Sequence, residues 1–457
     1  MSLLKNLYIK LALLFLLVTS TCSGVLAQGL NPQHQKLDKY LTALNDNDKI
    51  MTAVYISKNG RVLYEHYSGL ASVENKVSIT ADTKFRIGSI TKTFTAVLVM
   101  QLIEEGKLAL DTKLSNFYPN IPNAQRITIK QLLSHRSGIK SYTSETEYLK
   151  YMTKPQLRKQ IEQRIESYKS LFEPNSKHQY SNSNYTLLGY IIESLYQKSY
   201  AEVLSQKISN PLKLDNTYYG NSIEIEDKEA FSYRFEGSWT RQPATHMSVP
   251  HAAGAIVSTT KETNLFLAAL FDKKLLNQDS LNAMMQLEDG YGLGLFAMPF
   301  YQQKFYGHNG SIDGFRSAAG HNLADGITIT VLSNGVNYNF NDVLIALLSS
   351  VYQRSFEIPD FSTQPVGLSP ATLKQHLGTF SSKDLHLDIS FTIANKQLFA
   401  QATGQGKLPL TPYSQTEFRF DQAGIVIQFD PQSLDDGKFN RFILNQGGGK
   451  FRYTRDE

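Results

Sequence analysis

Two runs near the start of the chain are rich in the β-branched and aromatic residues that favour strands. They cover residues 53–57 and 62–67, and the residues between them, Lys58-Asn59-Gly60-Arg61, contain an Asn-Gly pair. Asn and Gly both tolerate the positive φ that a tight hairpin turn requires. The pattern therefore predicts a β-hairpin, preceded by a helix over residues 36–44.

The middle of the chain changes to a helical period. Apolar residues after Ser89 recur at helical spacing through Leu102-Ile103-Glu104-Glu105, with Gly106 as a C-cap, and residues 185–196 form a second such run. Strand-like runs return at 304–308, 316–320 and 327–332, followed by an apolar helix over 343–352. This order predicts an α/β chain of the α+β type, with one antiparallel sheet built from distant segments, flanking helices and an inserted helical subdomain.

The end of the chain has a different composition. Residues 361–370 contain the Pro, Gly and Ser of a linker, and beyond them short strand-like runs are separated by turns that contain glycine. These runs predict a small all-β C-terminal domain, a meander or a barrel. The predicted boundaries are 1–27 for a signal peptide, 28–356 for the α/β domain, 357–370 for the linker and 371–457 for the β-domain.

The first 27 residues have the organisation of a secretory signal: two lysines, an apolar stretch from Leu11 to Val18, and a small-residue cleavage site ending at Ala27. The apolar stretch is too short to anchor the protein, so the mature chain is expected to have no transmembrane segment and to be periplasmic or secreted. Cys22, the only cysteine, lies in this leader, and lipid attachment there is an alternative. Removing the leader lowers the net charge from +5 to +3, which indicates no nucleic-acid partner.

Candidate chemistry begins at Ser89-Xaa-Xaa-Lys92, at the mouth of the first long helix. Residues three apart share one helix face, so the amine can serve as a base for the hydroxyl. Free N–H groups at a helix start also favour an oxyanion. The same spacing occurs at Ser2, Ser137 and Ser258, so only its position before a helix distinguishes Ser89. The alternative is a serine that merely caps the helix.

Two further motifs occur later in the chain. Tyr180-Ser181-Asn182 lies in a polar loop before the second amphipathic run, and His308-Asn309-Gly310 ends a predicted strand and enters the bend Ser311-Ile312-Asp313-Gly314. With Leu132-Leu133-Ser134-His135 and Ala253-Gly254 in the same order, the chain resembles the serine β-lactamase and DD-peptidase superfamily. The branch is that of class C β-lactamases, D-Ala-D-Ala carboxypeptidases and related esterases. The similarity covers residues 35–355, and the C-terminal unit resembles small β-domains often appended in this family.

This resemblance implies three catalytic roles. Ser89 would be the acylated nucleophile, Lys92 its base in a partly neutral form, and Tyr180 the group that passes a proton to the leaving group. For Tyr180 the alternative is an ordinary surface-loop tyrosine. His246 and His251 have no metal-ligand spacing, so neither a metal nor another cofactor is expected.

The resemblance also implies substrate contacts. Asn182 would bind the amide of the acyl group, and the backbone N–H groups of Ser89 and Ser311, which follows Gly310, would form the oxyanion hole. His308 stands where β-lactamases of this group carry a lysine. We expect it to contact a substrate carboxylate and to gain charge as the pH falls towards about 6.5. The alternatives are a turn residue for Asn182 and a structural strand-end histidine for His308.

These expectations combine into an exported serine hydrolase that acts through a covalent acyl-enzyme on an amide or ester. The substrate would be a small molecule or peptide, such as a D-amino-acid peptide derived from peptidoglycan, a β-lactam or a small ester. The alternative is a non-catalytic sensor or scaffold of the same fold that binds penicillin or peptidoglycan. The presence of Ser89, Lys92 and Tyr180 together argues against that alternative.

Overall fold

A computed structural model describes residues 32–447 and 449–456 of the chain. The predicted signal peptide and Cys22 lie outside these residues. Within them, no helix combines the length and the apolar character needed to cross a membrane. The domain boundaries given above stay predictions.

The first part of the chain supplies a helix, the hairpin and the nucleophile region. Its helices and strands are, in order, α1 Pro32–Asp46, β1 Ile50–Lys58, β2 Arg61–Ser68, β3 Leu70–Ser72, β4 Val77–Ser78, β5 Phe85–Arg86, α2 Thr91–Glu104, α3 Ile129–Leu133, α4 Tyr148–Tyr151, α5 Arg158–Ser167, α6 Asn182–Tyr196, α7 Tyr200–Leu204, α8 Asn210–Leu212, β6 Tyr218–Tyr219, β7 Tyr233–Phe235, β8 Trp239–Arg241 and β9 Ile256–Ser258.

The second part completes the sheet and forms the C-terminal domain. Its elements are α9 Thr260–Phe271, α10 Gln278–Met285, β10 Phe296–Phe300, β11 Gln303–Ile312, β12 Phe315–Asn322, β13 Ile327–Val336, α11 Phe340–Val351, α12 Pro370–Lys374, β14 Gly378–Ser381, β15 Ile389–Ala394, β16 Gln397–Ala402, β17 Leu408–Pro412, β18 Glu417–Phe420, β19 Ile425–Phe429, β20 Leu434–Asp435, β21 Lys438–Phe439, β22 Arg441–Gln446 and β23 Gly449–Arg455.

The main sheet joins the two ends of the α/β domain, as the sequence predicted. Its order is β10-β11-β12-β13-β1-β2; in addition β7 pairs with β13, and β8 pairs with β7. The turn between β1 and β2 has Asn59 at φ 49° and Gly60 at φ 76°, which confirms the Asn-Gly hairpin. Strand β1 pairs with β13 from Ile50↔Val336 onwards, so distant segments meet at the centre of the sheet.

Helices cover both faces of this sheet because its central strand is apolar on both sides. On one face, Val54 and Ile56 of β1 pack in a cluster with Leu41 of α1 and Leu347 of α11. On the other face, α2 and α9 form the larger core, in which the rings of Phe94 and Phe266 stack at 3.5 Å. Helix α2 is therefore buried along most of its length, and the residue before it is held at a fixed place.

The C-terminal unit is a closed barrel of β14–β19, β22 and β23. Its interior is lined by aromatic rings, including Phe380, Phe391, Phe429 and Phe442, which contact one another at centroid distances of 5.1–6.1 Å. The first and last strands pair through Phe380↔Arg455, which closes the barrel. This confirms the prediction of a small all-β C-terminal domain.

The sequence-based prediction was wrong about where one strand near the candidate active site ends. The predicted strand ended at His308, whereas β11 continues to Ile312 and forms a hairpin with β12. His308 therefore lies inside a strand, opposite Ala319. Gly310 does not break the strand; its lack of a side chain lets β11 pack closely against the turn that carries Ser89.

Candidate active site

The nucleophile candidate lies in a turn between a short strand and a long buried helix. Strand β5 pairs with β9, Gly88 takes a positive φ of 53°, and residues 88–90 form one 3₁₀ turn before α2 begins at Thr91. Ser89 is thus placed just before the first turn of α2, and not within the α-helix. Free N–H groups and the positive end of the helix dipole face this position.

Lys92 is completely buried, and its amine has three oxygen neighbours. Nζ lies 3.0 Å from Ser89 Oγ, 2.8 Å from Asn182 Oδ1 and 2.7 Å from the carbonyl oxygen of Ala253. Burial lowers the pKa of the Lys92 amine well below its ordinary value. A neutral amine has two N–H groups and one lone pair. Since Asn182 Oδ1 and the carbonyl can only accept, they take both N–H groups, and the lone pair is left for the Ser89 hydroxyl.

Tyr180 contacts the other side of the nucleophile. Its hydroxyl donates to Ser89 Oγ at 2.8 Å, and its ring lies 4.3 Å from the ring of His135 and 4.8 Å from Lys92 Nζ. The residue keeps 39% of its surface exposed, yet the packing around its ring raises the pKa of the phenol. Tyr180 is therefore a protonated donor near neutral pH, which suits delivery of a proton to a leaving group.

Asn182 begins α6, and the protein itself occupies both ends of its side-chain amide. Oδ1 accepts from Lys92, and Nδ2 donates to Thr143 Oγ1 at 2.8 Å. The sequence predicted a contact between Asn182 and the acyl amide of a substrate, and that role stays a prediction. In this structure Asn182 fixes the amide orientation that presents an acceptor to Lys92.

Strand β11 presses against the turn that carries Ser89, at the place where the oxyanion hole is predicted. A Cβ added to Gly310 would overlap the Ile87 carbonyl and the Ser317 hydroxyl and would lie 3.1 Å from the Ser89 nitrogen. A Cβ on Gly88 would lie 2.8 Å from the nitrogen of Ser311. The two backbone segments can approach this closely only because both positions are glycine. Gly310 therefore allows close packing within a continuous strand.

A buried ion pair holds this junction from below. Arg86 of β5 donates to Asp313 Oδ2 at 3.2 Å and to the Thr245 carbonyl at 2.7 Å, and both charged side chains are almost fully buried. Ser317 of β12 adds a hydrogen bond to the Ile87 carbonyl at 2.8 Å. These contacts tie the β11–β12 hairpin to the turn that carries Ser89.

His308 differs from the expectation of a titrating substrate contact. Its ring is 1% exposed, with Nδ1 2.5 Å from the carbonyl oxygen of Asn309 and Nε2 2.9 Å from the Tyr291 hydroxyl. The carbonyl can only accept, so Nδ1 carries the proton and Tyr291 donates to Nε2. Burial lowers the pKa of His308 to about 3. The expectation that His308 gains charge near pH 6.5 is therefore wrong, because the neutral ring is buried and hydrogen-bonded on both sides.

A cleft of about 770 Å³ opens beside Ser89. It is bounded by the nucleophile turn, the Asn182 helix, the β11–β12 hairpin, β7 and the segments 143–153 and 242–254. Its lining residues include Gly88, Ser89, Thr143, Tyr148, Asn182, Arg234, Thr245, Ala253, Ser311 and Asp313. Within residues 32–447 and 449–456, no group of three or more acidic, histidine or cysteine side chains is arranged to hold a metal ion. The reactive groups gathered at one end of the cleft are the Ser89 hydroxyl, the Lys92 amine and the Tyr180 phenol.

The structure brings all seven predicted site residues into one region, and it adds some that the sequence did not indicate. The carbonyl of Ala253 accepts from Lys92, and Thr143 holds Asn182. A carbonyl belongs to every residue, so no residue type could have marked the first of these. The sequence marked Ala253-Gly254 as a motif of the resembled family but predicted no role for the Ala253 carbonyl.

Comparison with known proteins gives the same assignment. The sequence model of a family described as Beta-lactamase matches residues 37–350. The chain belongs to the beta-lactamase family. A putative penicillin-binding protein, PbpX of Bacillus subtilis, is 29% identical over 311 residues, which are 67% of this chain and 75% of that protein. Teichoic acid D-alanine hydrolase of Staphylococcus aureus is 28% identical over 280 residues, or 59% and 67% of the two chains.

A solved structure agrees with these relatives. D-amino acid amidase from Ochrobactrum anthropi, in complex with L-phenylalanine amide, has a TM-score of 0.62 and 26% identity, covering 70% of this chain and 97% of that one. The predictions of the superfamily and of a serine hydrolase are confirmed. The roles of the individual residues stay predictions.

The first prediction concerns the pH dependence of acylation. The neutral Lys92 amine is present above its lowered pKa and is lost as the pH falls through it, so acylation by p-nitrophenyl acetate should rise with pH to a plateau. His308, with a pKa of about 3, should add no step between about pH 5 and 8. His308→Gln should change the size of the rate without moving the midpoint. A wild-type midpoint near 6.5 that disappears in this variant would show that His308 does titrate.

The second prediction concerns the close approach at Gly310. Gly310→Ala should push β11 away from Ser89 and lower the acylation rate by about 100- to 1000-fold, the scale for losing one oxyanion donor. Gly367→Ala is the matched control, because a Cβ there meets no atom within 4 Å. Stopped-flow acylation rates of the two folded variants decide the matter. Equal rates would mean that the oxyanion is stabilised elsewhere.

Proposed function

We propose that this protein is an exported serine hydrolase that cleaves an amide or ester, with a D-configured residue on the acyl side, through an acyl-enzyme at Ser89. The observation that carries the proposal is the buried Lys92 amine, whose two acceptor partners leave its lone pair towards the Ser89 hydroxyl at 3.0 Å. The relatives named for D-alanine and for D-amino acid amides support the choice of substrate class.

The proposed reaction has two halves, acylation of Ser89 and hydrolysis of the acyl-enzyme, and Lys92 moves a proton in both. Ser89 Oγ attacks the carbonyl carbon as its proton moves to Lys92, and the N–H groups of Ser89 and Ser311 stabilise the oxyanion. The bond to the leaving group then breaks, and the proton reaches the leaving atom through the Tyr180 hydroxyl. Water attacks the acyl-enzyme, its proton returns through Lys92 to Ser89 Oγ, and a carboxylic acid is released. No external reactant besides water is needed.

The non-catalytic sensor is the weaker reading of this site. A sensor needs only to bind, whereas here a desolvated amine lies 3.0 Å and a phenol hydroxyl 2.8 Å from Ser89 Oγ. Penicillins are expected to be poor substrates, because a buried neutral His308 stands in the place of the lysine that β-lactamases of the resembled group carry.

We expect the mature protein to form a covalent adduct at Ser89 with a fluorescent penicillin and to hydrolyse p-nitrophenyl acetate in the presence of a chelator. Intact-mass spectrometry would measure the adduct, and Ser89→Ala should abolish it. Ser137→Ala is the matched control, because Ser137-Xaa-Xaa-Lys140 has the same spacing but its hydroxyl donates to Asn184. Turnover that persists in Ser89→Ala, or that chelation removes, would contradict the proposal.

Export is proposed from the leader sequence alone. When the full chain is expressed in a bacterial host, the mature protein should be found outside the cytoplasm with Gln28 as its first residue. Leu14→Arg, which places a charge in the apolar stretch of the leader, should leave the chain uncleaved in the cytoplasm. Mass spectrometry of the N-terminal peptide decides this. A lipid-modified N-terminus at Cys22 would replace cleavage after Ala27 by anchoring, and an uncleaved cytoplasmic wild type would remove the proposal.

A further inference from the structure

Two arginines beside the active site have no acidic partner among the residues that the structure describes. Arg234 lies in β7 and Arg316 in β12, both exposed, and neither forms an ion pair with any residue in the part of the chain that the structure describes. Arg316 donates to Ser311 Oγ at 2.6 Å and to the carbonyl oxygen of Phe315 at 2.9 Å. Both arginines line one cavity, and partial burial of the Arg316 guanidinium, followed by the charge of Arg234, lowers the pKa of Arg316.

These arginines lie where the cleft continues away from Ser89. Arg234 lines the cleft beside Ser89 and also a second cavity of about 400 Å³. Arg316 and Gly314 line this second cavity as well. Gln422 of the barrel lines this second cavity from the opposite domain. Arg234 is therefore shared by the two cavities, and Arg316 reaches back to Ser311, which lines the first.

The nearby acid does not neutralise this charge. Asp313 lines both cavities, but its carboxylate accepts from Arg86 and from the backbone and hydroxyl of Thr245. Its negative charge is thus balanced within the protein. Two positive charges are left at the second cavity, where the repulsion between them favours the binding of an anion.

The position also decides which half of a substrate would meet these charges. The leaving group has to lie within reach of the Tyr180 hydroxyl, which contacts Ser89 from the side where the Tyr180 ring packs beside His135 and His308. The cleft that runs from Ser89 past Ser311 to Arg234 is left for the acyl half.

We propose that Arg234 and Arg316 bind an anionic group, a carboxylate or a phosphate, at the far end of the acyl half of the substrate. The inference rests on the proposed function, because it assumes that an acyl group enters from Ser89. An ammonium at the far end of the acyl half would be repelled by the same charges. The site therefore favours an acyl chain that carries an acid at this reach over a chain of the same length that carries an amine there.

The test is a matched set of p-nitrophenyl esters on the full mature protein. The monoesters of adipic, suberic and sebacic acid carry a terminal carboxylate at increasing reach, and the hexanoate, octanoate and decanoate esters are their neutral counterparts. An 8-aminooctanoate ester supplies the cation, and a 6-phosphonohexanoate ester distinguishes a phosphate-type anion from a carboxylate. The measured quantity is the ratio of kcat/KM for the charged ester to that of the neutral ester of the same length, within each variant.

We expect the anion-to-neutral ratio to exceed one for at least one chain length and to fall with added salt. Arg234→Gln and Arg316→Gln should each lower that ratio by about tenfold, the scale of a hydrogen bond to a charged group, and Arg234→Lys should keep part of it. Arg241→Gln is the matched control. It removes one charge from the same β7–β8 hairpin, where Arg241 stacks on the ring of Phe231, and should leave the ratio within about twofold.

Three results would overturn the inference: a ratio near one at every length, a preference for the ammonium ester, or equal ratios in Arg234→Gln, Arg316→Gln and Arg241→Gln. If neutral esters acylate Ser89 while the ratio stays flat, the anion site is wrong and the proposed function stands. If no ester forms an adduct at Ser89, the proposed function fails and the inference fails with it.

Discussion

The rest of the site depends on the cost of burying a primary amine. Lys92 is fully buried, and within the residues that the structure describes no carboxylate pairs with it. A charged ammonium in such a place would lose its hydration without a counter-charge, so the neutral form is favoured. The surrounding oxygens then determine where the lone pair points. The neutral state of the Lys92 amine and the direction of its lone pair thus both follow from its burial. Both would be lost if water or an acidic side chain entered beside Lys92.

Two glycines and a buried ion pair hold the turn that carries Ser89, next to this amine, against β11. The nucleophile turn and β11 touch through Gly88 and Gly310, where any side chain would force the segments apart. Arg86 and Asp313 hold the β11–β12 hairpin to the same turn from the interior. Removing one partner of such a buried pair leaves an uncompensated charge, which costs about 3–5 kcal/mol. The ion pair therefore resists separation of the β11–β12 hairpin from the turn that carries Ser89.

The hairpin, the long helices and the barrel strands could be predicted because each shows its own period or turn chemistry over several residues. The two-residue strands β5 and β6 are too short to show a period, and they form because β9 pairs with both. His308 was misjudged because Gly310 resembles a strand breaker and because burial by Tyr291, 17 residues away, leaves no local signal. Arg234 and Arg316 are ordinary surface residues in the sequence, and only the pairing of distant strands brings them together.

The pairing of β1 with β13 has a consequence for how this chain reaches its native state. The hairpin of β1 and β2 can form early, but its neighbour in the sheet, from Val336 back to Ile327, emerges almost 300 residues later. Contacts so distant along the chain are slow to form because a long loop must close first. The barrel also depends on a contact between distant residues, because Phe380 of its first strand pairs with Arg455 of its last strand. During synthesis, the apolar central strand therefore stays without its partner until the α/β domain is nearly complete, and this interval is when the chain is most exposed to aggregation.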